Sequence, residues 1–238
     1  LKPDVREADV AALERGLQYV KTHPARDLVF RPGGELALVV HTDASHAPGG
    51  EDSYSQSGIV IHMHGTGLIA ADSRRQTRIA QSSQDAETIA QADGVNAALF
   101  CQSQLRELVG SDALFTIKVV QDNRAAILIS ESGFHALASL FKRKHPGLSW
   151  NWLAEQHANG DTTYVWCKSA LMLADALTKP LPRVATEALF NAICDPGRHL
   201  HPDLKDLIGA PVPRRCVPES ILEPDLALGK RPLNWESM

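Results

Sequence analysis

Val10, Leu13, Leu17 and Val20 recur at the spacing of one helical face, so residues 4–21 are predicted to form an amphipathic helix that His23-Pro24 ends. Its apolar stripe calls for a surface to cover it. After Pro32-Gly33-Gly34 the nearly continuous apolar run Leu36-Ala37-Leu38-Val39-Val40 predicts a buried strand that leads into His41-Thr42-Asp43. Two further strands, residues 57–63 and 67–71, flank the turn His64-Gly65-Thr66-Gly67 and predict an antiparallel meander. Helical spacing then takes over. Ser82 or Ser83 can cap the helix, Asp85 and Glu87 fall in its first turn, Ala98, Cys101, Leu105 and Leu108 mark its apolar face, and Gly110 closes it.

Phe115 to Val120 is β-rich and ends at Gln121-Asp122-Asn123, followed at once by a short helix through Ala125 to Leu128. Residues 137–158 read as a helix interrupted at Pro146-Gly147, residues 162–167 as a strand, and Leu171 to Lys179 as a helix stopped by Pro180-Leu181-Pro182. A last helix is expected over 184–194. Seven of the fourteen prolines fall between Pro196 and Pro232, which predicts a loosely ordered tail. The order of elements predicts an α/β fold, a mixed sheet with helices on its faces.

The composition, 238 residues with 44% hydrophobic and 22% charged, is that of one or two globular domains with a real core. Apolar runs such as Ala125 to Ile129 fall far short of the roughly 20 residues that span a membrane, so no membrane partner is expected. A chain opening at Leu1 is read as a piece of a longer polypeptide. Cys101, Cys167, Cys194 and Cys216 lack the paired spacing of zinc sites or disulfide frameworks, so free thiols in a reducing compartment are expected. The formal charge of −4 argues against a strong global field for nucleic acid and leaves room for a local basic groove.

The chemistry is carried by acids. Asp43 and Asp122 end strands, Glu87 opens a helix, and Asp175 lies in the helix read over 171–179. Strand ends and helix starts converge at one edge of an α/β sheet, and carboxylates gathered there, with no basic residue beside them in sequence, repel one another unless a cation lies between. Carboxylate oxygens without thiolates or a histidine cluster select Mg²⁺ or Mn²⁺, and two such ions about 3.5 to 4 Å apart would make a clamp for phosphodiester hydrolysis.

Five segments in order, His41-Thr42-Asp43-Ala44-Ser45, Ser55-Gln56-Ser57-Gly58, Ser82 to Glu87, Gln121 to Ile127 and Leu173-Ala174-Asp175-Ala176-Leu177-Thr178-Lys179-Pro180-Leu181-Pro182, resemble the ribonuclease H domain of copia-type LTR retrotransposon Pol polyproteins. The last is the most distinctive. The resemblance runs from about Ala11 to Pro182. It implies a ribonuclease H-like mixed five-stranded sheet flanked by helices, occupying residues 35–182. Residues 1–34 would be a connecting helix after a polymerase region, and 183–238 a helix and Pro-rich tail. It also implies that Asp43, Glu87, Asp122 and Asp175 are the catalytic, metal-binding set for two Mg²⁺ (or Mn²⁺) ions. The implied reaction is hydrolysis of the RNA strand of RNA·DNA hybrids, leaving 5′-phosphate and 3′-hydroxyl ends. The implied partners are the hybrid and the reverse transcriptase portion of the parent polyprotein. The implied setting is intracellular, in the cytoplasm or a virus-like particle, with the nucleus also open. The chain departs from the family at Ala136 to Phe141, at Lys168 to Met172, and at Thr88, where an aromatic is usual. An alternative is a catalytically inactive nucleic-acid-binding remnant. An integrase or transposase fits less well, since those resemble an Asp, Asp, Glu order.

Arg74, Arg75 and Arg78, Asn123, and Lys142, Arg143 and Lys144 are the candidate nucleic-acid contacts, since the basic clusters flank the acidic edge in sequence. His145 and His157 are candidate proton shuttles there. His62 and His64 share one side of a strand, but two ligands make no metal site. Trp150 and Trp152 point to different sides of a helix, so at most one contacts nucleic acid and the other is core.

Overall fold

The computed structural model describes residues 7–22, 27–32, 36–47, 54–110, 116–132 and 147–209. Its elements in order are α1 (Glu7–Thr22), β1 (Ala37–Ser45), β2 (Gln56–Met63), β3 (Gly67–Arg75), α2 (Ser83–Val109), β4 (Thr116–Gln121), α3 (Arg124–Ser132), α4 (Gly147–Ala158), β5 (Thr162–Trp166), a 3₁₀ turn (Ser169–Leu171), α5 (Asp175–Thr178), α6 (Arg183–Cys194), α7 (Pro196–His199) and α8 (Pro202–Gly209). The sheet has the strand order β3-β2-β1-β4-β5, with β1 to β3 antiparallel and β4 and β5 parallel to β1. This is the mixed α/β sheet that the order of elements predicted, with the five strands that the family resemblance implied.

β1 is apolar without alternation because both its faces are covered. Leu38 and Val40 pack with Ile59, Ile61, Val95, Ala98, Ile117, Val119 and Leu153 beneath α2 and α4. Val39 faces the other way, onto Val120, Cys167, Met172, Ala174, Leu204 and Ile208. Leu204 and Ile208 belong to α8, and both are almost wholly buried. For residues 196–209 the expectation of a loosely ordered tail is therefore corrected: two short helices close the second face of the sheet, and buried Lys118 donates to the Ile208 carbonyl oxygen at 2.8 Å. Proline opens both of those helices, where its missing N–H costs nothing. The prolines from Pro211 onward, and Cys216, lie outside the described residues.

The helix read over 171–179 is also corrected. A 3₁₀ turn and a single helical turn stand there, separated by Met172-Leu173-Ala174, which the two apolar clusters of the second face bury. Leu108 at the far end of α2 is exposed, whereas Ala98 is buried. α1 is helical as expected, yet none of its residues is buried, and Leu13, Leu17 and Val20 are each more than half exposed. The segment after it is moored: Val29 N–H donates to Cys194 O, Arg31 N–H to Thr66 O, and the Arg31 guanidinium grips both carboxylate oxygens of Asp195 at 3.1 and 2.7 Å. Among the described residues no helix is long and apolar enough to cross a membrane.

Candidate active site

Three backbone decisions bring the acids together. Asp43 sits late in β1 opposite Gly58 of β2, its side chain 1% exposed. Glu87 is carried by the first turn and a half of α2, which starts where Ser82 accepts a hydrogen bond from Asp85 N–H at 3.1 Å. Further along α2, Gly94 lets the helix lie on β1, since a Cβ there would come 2.5 Å from Thr42 Cγ2. Asp122 follows the last residue of β4, next to β1 in the parallel part of the sheet.

One oxygen each of Asp43, Glu87 and Asp122 all lie within 4.8 Å of one another. Burial first, and then the charges of Asp43 and Asp122, push the Glu87 carboxyl up to about 9. The metal-free fold answers this repulsion by keeping a proton on Glu87. Oxygen donors only, half-enclosed and converging, suit a hard divalent cation.

Asp175 does not join that trio at the same range. It opens α5, and its Oδ1 accepts from the Lys179 ammonium at 2.8 Å, while the same ammonium reaches Asp43 Oδ1 at 3.1 Å. Thr178 donates its hydroxyl to Asp43 Oδ2. Burial pushes the Asp175 carboxyl up to about 6, against the pull of the Lys179 hydrogen bond. Burial alone would disfavour the Lys179 charge, but its bonds to Asp175 and Asp43 outweigh that and hold its pKa above the ordinary lysine range. The expectation that no basic residue lies beside the acids is therefore corrected. Lys179 stands one helical turn from Asp175, a spacing visible in the sequence.

Two glutamines and a glycine complete the scaffold. Gln121, fully buried, donates from Nε2 to Glu87 Oε2 at 3.2 Å and accepts with Oε1 from the backbone N–H groups of Asp122 and Asn123. Gln76 donates from Nε2 to Ser57 Oγ and to the Ala86 carbonyl oxygen, tying β2 to the start of α2. A Cβ on Gly58 would lie 2.7 Å from Thr178 Cγ2 and 2.8 Å from Ala174 O, so only glycine lets α5 approach this closely. Sequence reasoning assigned none of these three a role. A polar side chain beside an acid at a strand end was the only signal for Gln121.

The remaining candidates are placed as follows. Arg74 and Arg75 end β3 at the same sheet edge as Asp43, where Ser45 pairs Gln56 and Gln56 pairs Arg75. Arg74 forms ion pairs with Asp72 and Asp93, Arg75 lies over the Tyr54 ring, and Arg78 donates to Ser149 Oγ. Asn123 Oδ1 accepts from Ala125 and Ala126 N–H and so caps α3. Trp166 donates to the Asp122 carbonyl oxygen, with the Arg124 guanidinium 4.2 Å above its ring centroid. His157 is corrected: its Nδ1 lies 3.0 Å from Thr162 O at the start of β5, while the acids lie beyond the other end, where Trp166 pairs Gln121. Four residues of strand separate the two ends, about 13 Å. Lys142, Arg143, Lys144 and His145 lie outside the described residues. Trp150 is buried, and His62 is packed, with Nε2 2.9 Å from Ile193 O.

No family model matches the chain. It is 30% identical over 175 residues to the retrovirus-related Pol polyprotein from transposon RE2 of Arabidopsis thaliana, covering 73% of this chain and 12% of that protein. The corresponding polyprotein from transposon RE1 is 28% identical over 188 residues, 79% of this chain and again 12% of the relative. The chain is thus similar to one segment of these retrovirus-related Pol polyproteins. It spans about an eighth of their length. Among solved structures, a ribonuclease H1 isolated from compost aligns with a TM-score of 0.44 at 15% identity, covering 59% of this chain and 91% of that one. The N-terminal RNase H domain of a Mycobacterium tuberculosis protein aligns with a TM-score of 0.39 at 18% identity, covering 64% and 95%.

Proposed function

We propose that this chain is a divalent-metal-dependent endonuclease that hydrolyses the RNA strand of RNA·DNA hybrids, with residues 35–182 and the helices α6 to α8 that cover its sheet as the nuclease unit. The observation that carries the proposal is the convergence of Asp43, Glu87 and Asp122 oxygens within 4.8 Å at one sheet edge, where Glu87 is pushed up to about 9. The homology to Pol polyproteins, in which such a hydrolysis would follow reverse transcription, agrees with it.

Asp43, Glu87 and Asp122 would hold the ions, with Asp175 on the far side of Asp43. Bound Mg²⁺ or Mn²⁺ would supply charge stabilisation at the reacting phosphodiester and lower the pKa of the attacking water. The chain supplies the rest. Gln121 fixes the Glu87 carboxyl and the Asp122 backbone at once, so two ligands hold their spacing before substrate arrives. Arg74, Arg75 and Arg78 would track phosphates along the β3 side of the edge, and Arg124, stacked on Trp166, would do so on the β4 side.

The test is a hybrid with labelled RNA, incubated with the chain and Mg²⁺ or Mn²⁺. Cleavage of the hybrid RNA that EDTA stops, with single-stranded RNA and duplex DNA spared, is the expected outcome. Asp122→Asn should lower the rate by several orders of magnitude while the fold persists. Hybrid binding with no cleavage in either metal would replace the proposal by a non-catalytic nucleic-acid-binding role.

A further inference from the structure

The geometry points to Lys179 as a tethered counter-ion that occupies the Asp43–Asp175 side of the acidic edge and must be displaced before a divalent ion can use that side. The inference rests on the function proposed above and divides its site in two. On one side Asp43, Glu87 and Asp122 converge, and Gln121 provides the hydrogen bond to Glu87. On the other, each Asp43 oxygen already accepts one bond, Oδ1 from Lys179 and Oδ2 from Thr178, which leaves it a lone pair for the trio, and Asp175 Oδ1 is bound to the same ammonium.

The arrangement is built for exchange. The two carboxylates are enclosed, Asp43 at 1% and Asp175 at 12% side-chain exposure, whereas the Lys179 side chain is 38% exposed and so has a way out to solvent. Its backbone has already left the helix, extended at φ −128° and ψ 142°, and Pro180 follows. The four-carbon stem can therefore swing without unwinding α5, and the ammonium is a strongly hydrated point charge that water receives readily. A carboxylate that gives up Lys179 for a divalent ion keeps its counter-charge throughout. The edge never stands as four bare acids.

The two sides should then differ in affinity. An unlike unit charge at this range shifts a competing proton equilibrium by about one to three log units. A divalent ion contending for the same oxygens meets a barrier of similar size, so removal of the lysine should tighten its binding about tenfold or more. Removal should also destabilise the metal-free protein, because Asp43 and Asp175 lose their shared cation.

The experiment titrates Mn²⁺ alone into the full chain and follows the free ion by electron paramagnetic resonance, with melting in EDTA recorded in parallel. Wild type should bind one ion tightly and a second more weakly. In Lys179→Met and Lys179→Gln the weaker step should tighten about tenfold or more, the tight step should move less, and melting in EDTA should fall. Lys179→Arg, which keeps the charge, should stay close to wild type. Two variants guard against one that fails to fold. Binding curves for Lys179→Met and Lys179→Gln that superimpose on wild type, or that weaken, overturn the counter-ion role. Asp122→Asn serves as the separate control on the site itself: loss of the tight step shows that the cluster binds the ion. Equal Mn²⁺ uptake by Asp122→Asn and wild type, or none by either, overturns the metal site and the counter-ion role together.

Discussion

Gln121 joins β4 to α2 by donating its Nε2 to Glu87 Oε2 at 3.2 Å. Its other amide atom, Oε1, turns the chain at Asp122. One side chain thus sets the distance between two acids carried by separate elements. Gln121→Leu keeps approximate volume and removes both functions. Hybrid cleavage should drop by about ten- to a hundredfold, as for partners that orient metal ligands elsewhere. Steady-state rates with Mg²⁺ and the Mn²⁺ titration should fall together. An unchanged Mn²⁺ affinity would show that Glu87 is held in place without Gln121.

The pH dependence of metal-free stability has two limbs of opposite sign. Glu87 rises from its ordinary value of 4.5 to about 9 on folding, so between those values the folded state keeps a proton that the unfolded chain has released, and stability falls as pH rises. His41 and His62 act in reverse. Burial first, and then their mutual repulsion, holds His41 well below its ordinary 6.5, and burial holds His62 at about 4, so acid favours the unfolded chain. Asp175, raised to about 6, has the sign of Glu87 and offsets part of the histidine effect, so melting in EDTA should be highest near about pH 6 to 7, decline clearly above and only gently below. Glu87→Gln, which mimics the protonated carboxyl, should flatten the alkaline decline and leave the acid limb. A decline that persists in Glu87→Gln would assign it to another group.

Gly58→Ala places a methyl group against Thr178 Cγ2 and Ala174 O. Pushing α5 away should cost about 1–3 kcal/mol, read from urea unfolding. It should also loosen the Thr178 and Lys179 contacts to Asp43, so Mn²⁺ binding should change along with stability. A variant as stable as wild type would mean that α5 shifts freely.

Leu204→Ala and Ile208→Ala should each destabilise by about 2–5 kcal/mol, the range for emptying a buried aliphatic site. A chain ended at Asp195 loses both residues and also leaves Lys118 buried without the Ile208 carbonyl. It should fail to give a cooperative melt. If it unfolds like the full chain, α8 is not part of the core.

Much of this was legible in the chain. The alternation-free run at Leu38 to Val40 announced a strand covered on both faces, the glycines at 65 and 67 gave the β2–β3 turn, and Ser82 stood at the start of α2. Asp43, Glu87 and Asp122 could be placed at one edge because strand ends and helix starts meet there. What stayed hidden depends on packing between distant segments. Residues 171–179 have helical spacing, but burial of Met172, Leu173 and Ala174 on two different clusters breaks them into two turns. Proline count pointed to disorder after Pro196, yet two of those prolines start helices, and the second of these, α8, covers Val39. His157 needed the β4–β5 register to reveal which end it occupies.

Arg31 and Asp195 meet near the turn around Thr66, at the end of the sheet away from the carboxylates. A force transmitted along α1 toward the body of the protein would be borne there, by two parallel hydrogen bonds loaded side by side together with the Val29 and Arg31 backbone pairs. Tyr19 of α1 also lines a cleft with Leu181, Arg183, Thr186 and Glu187, just past Lys179, and gives the same load a second route. A molecule held by its α1 end would therefore carry the pull in two places, one of them beside the lysine of the acidic edge.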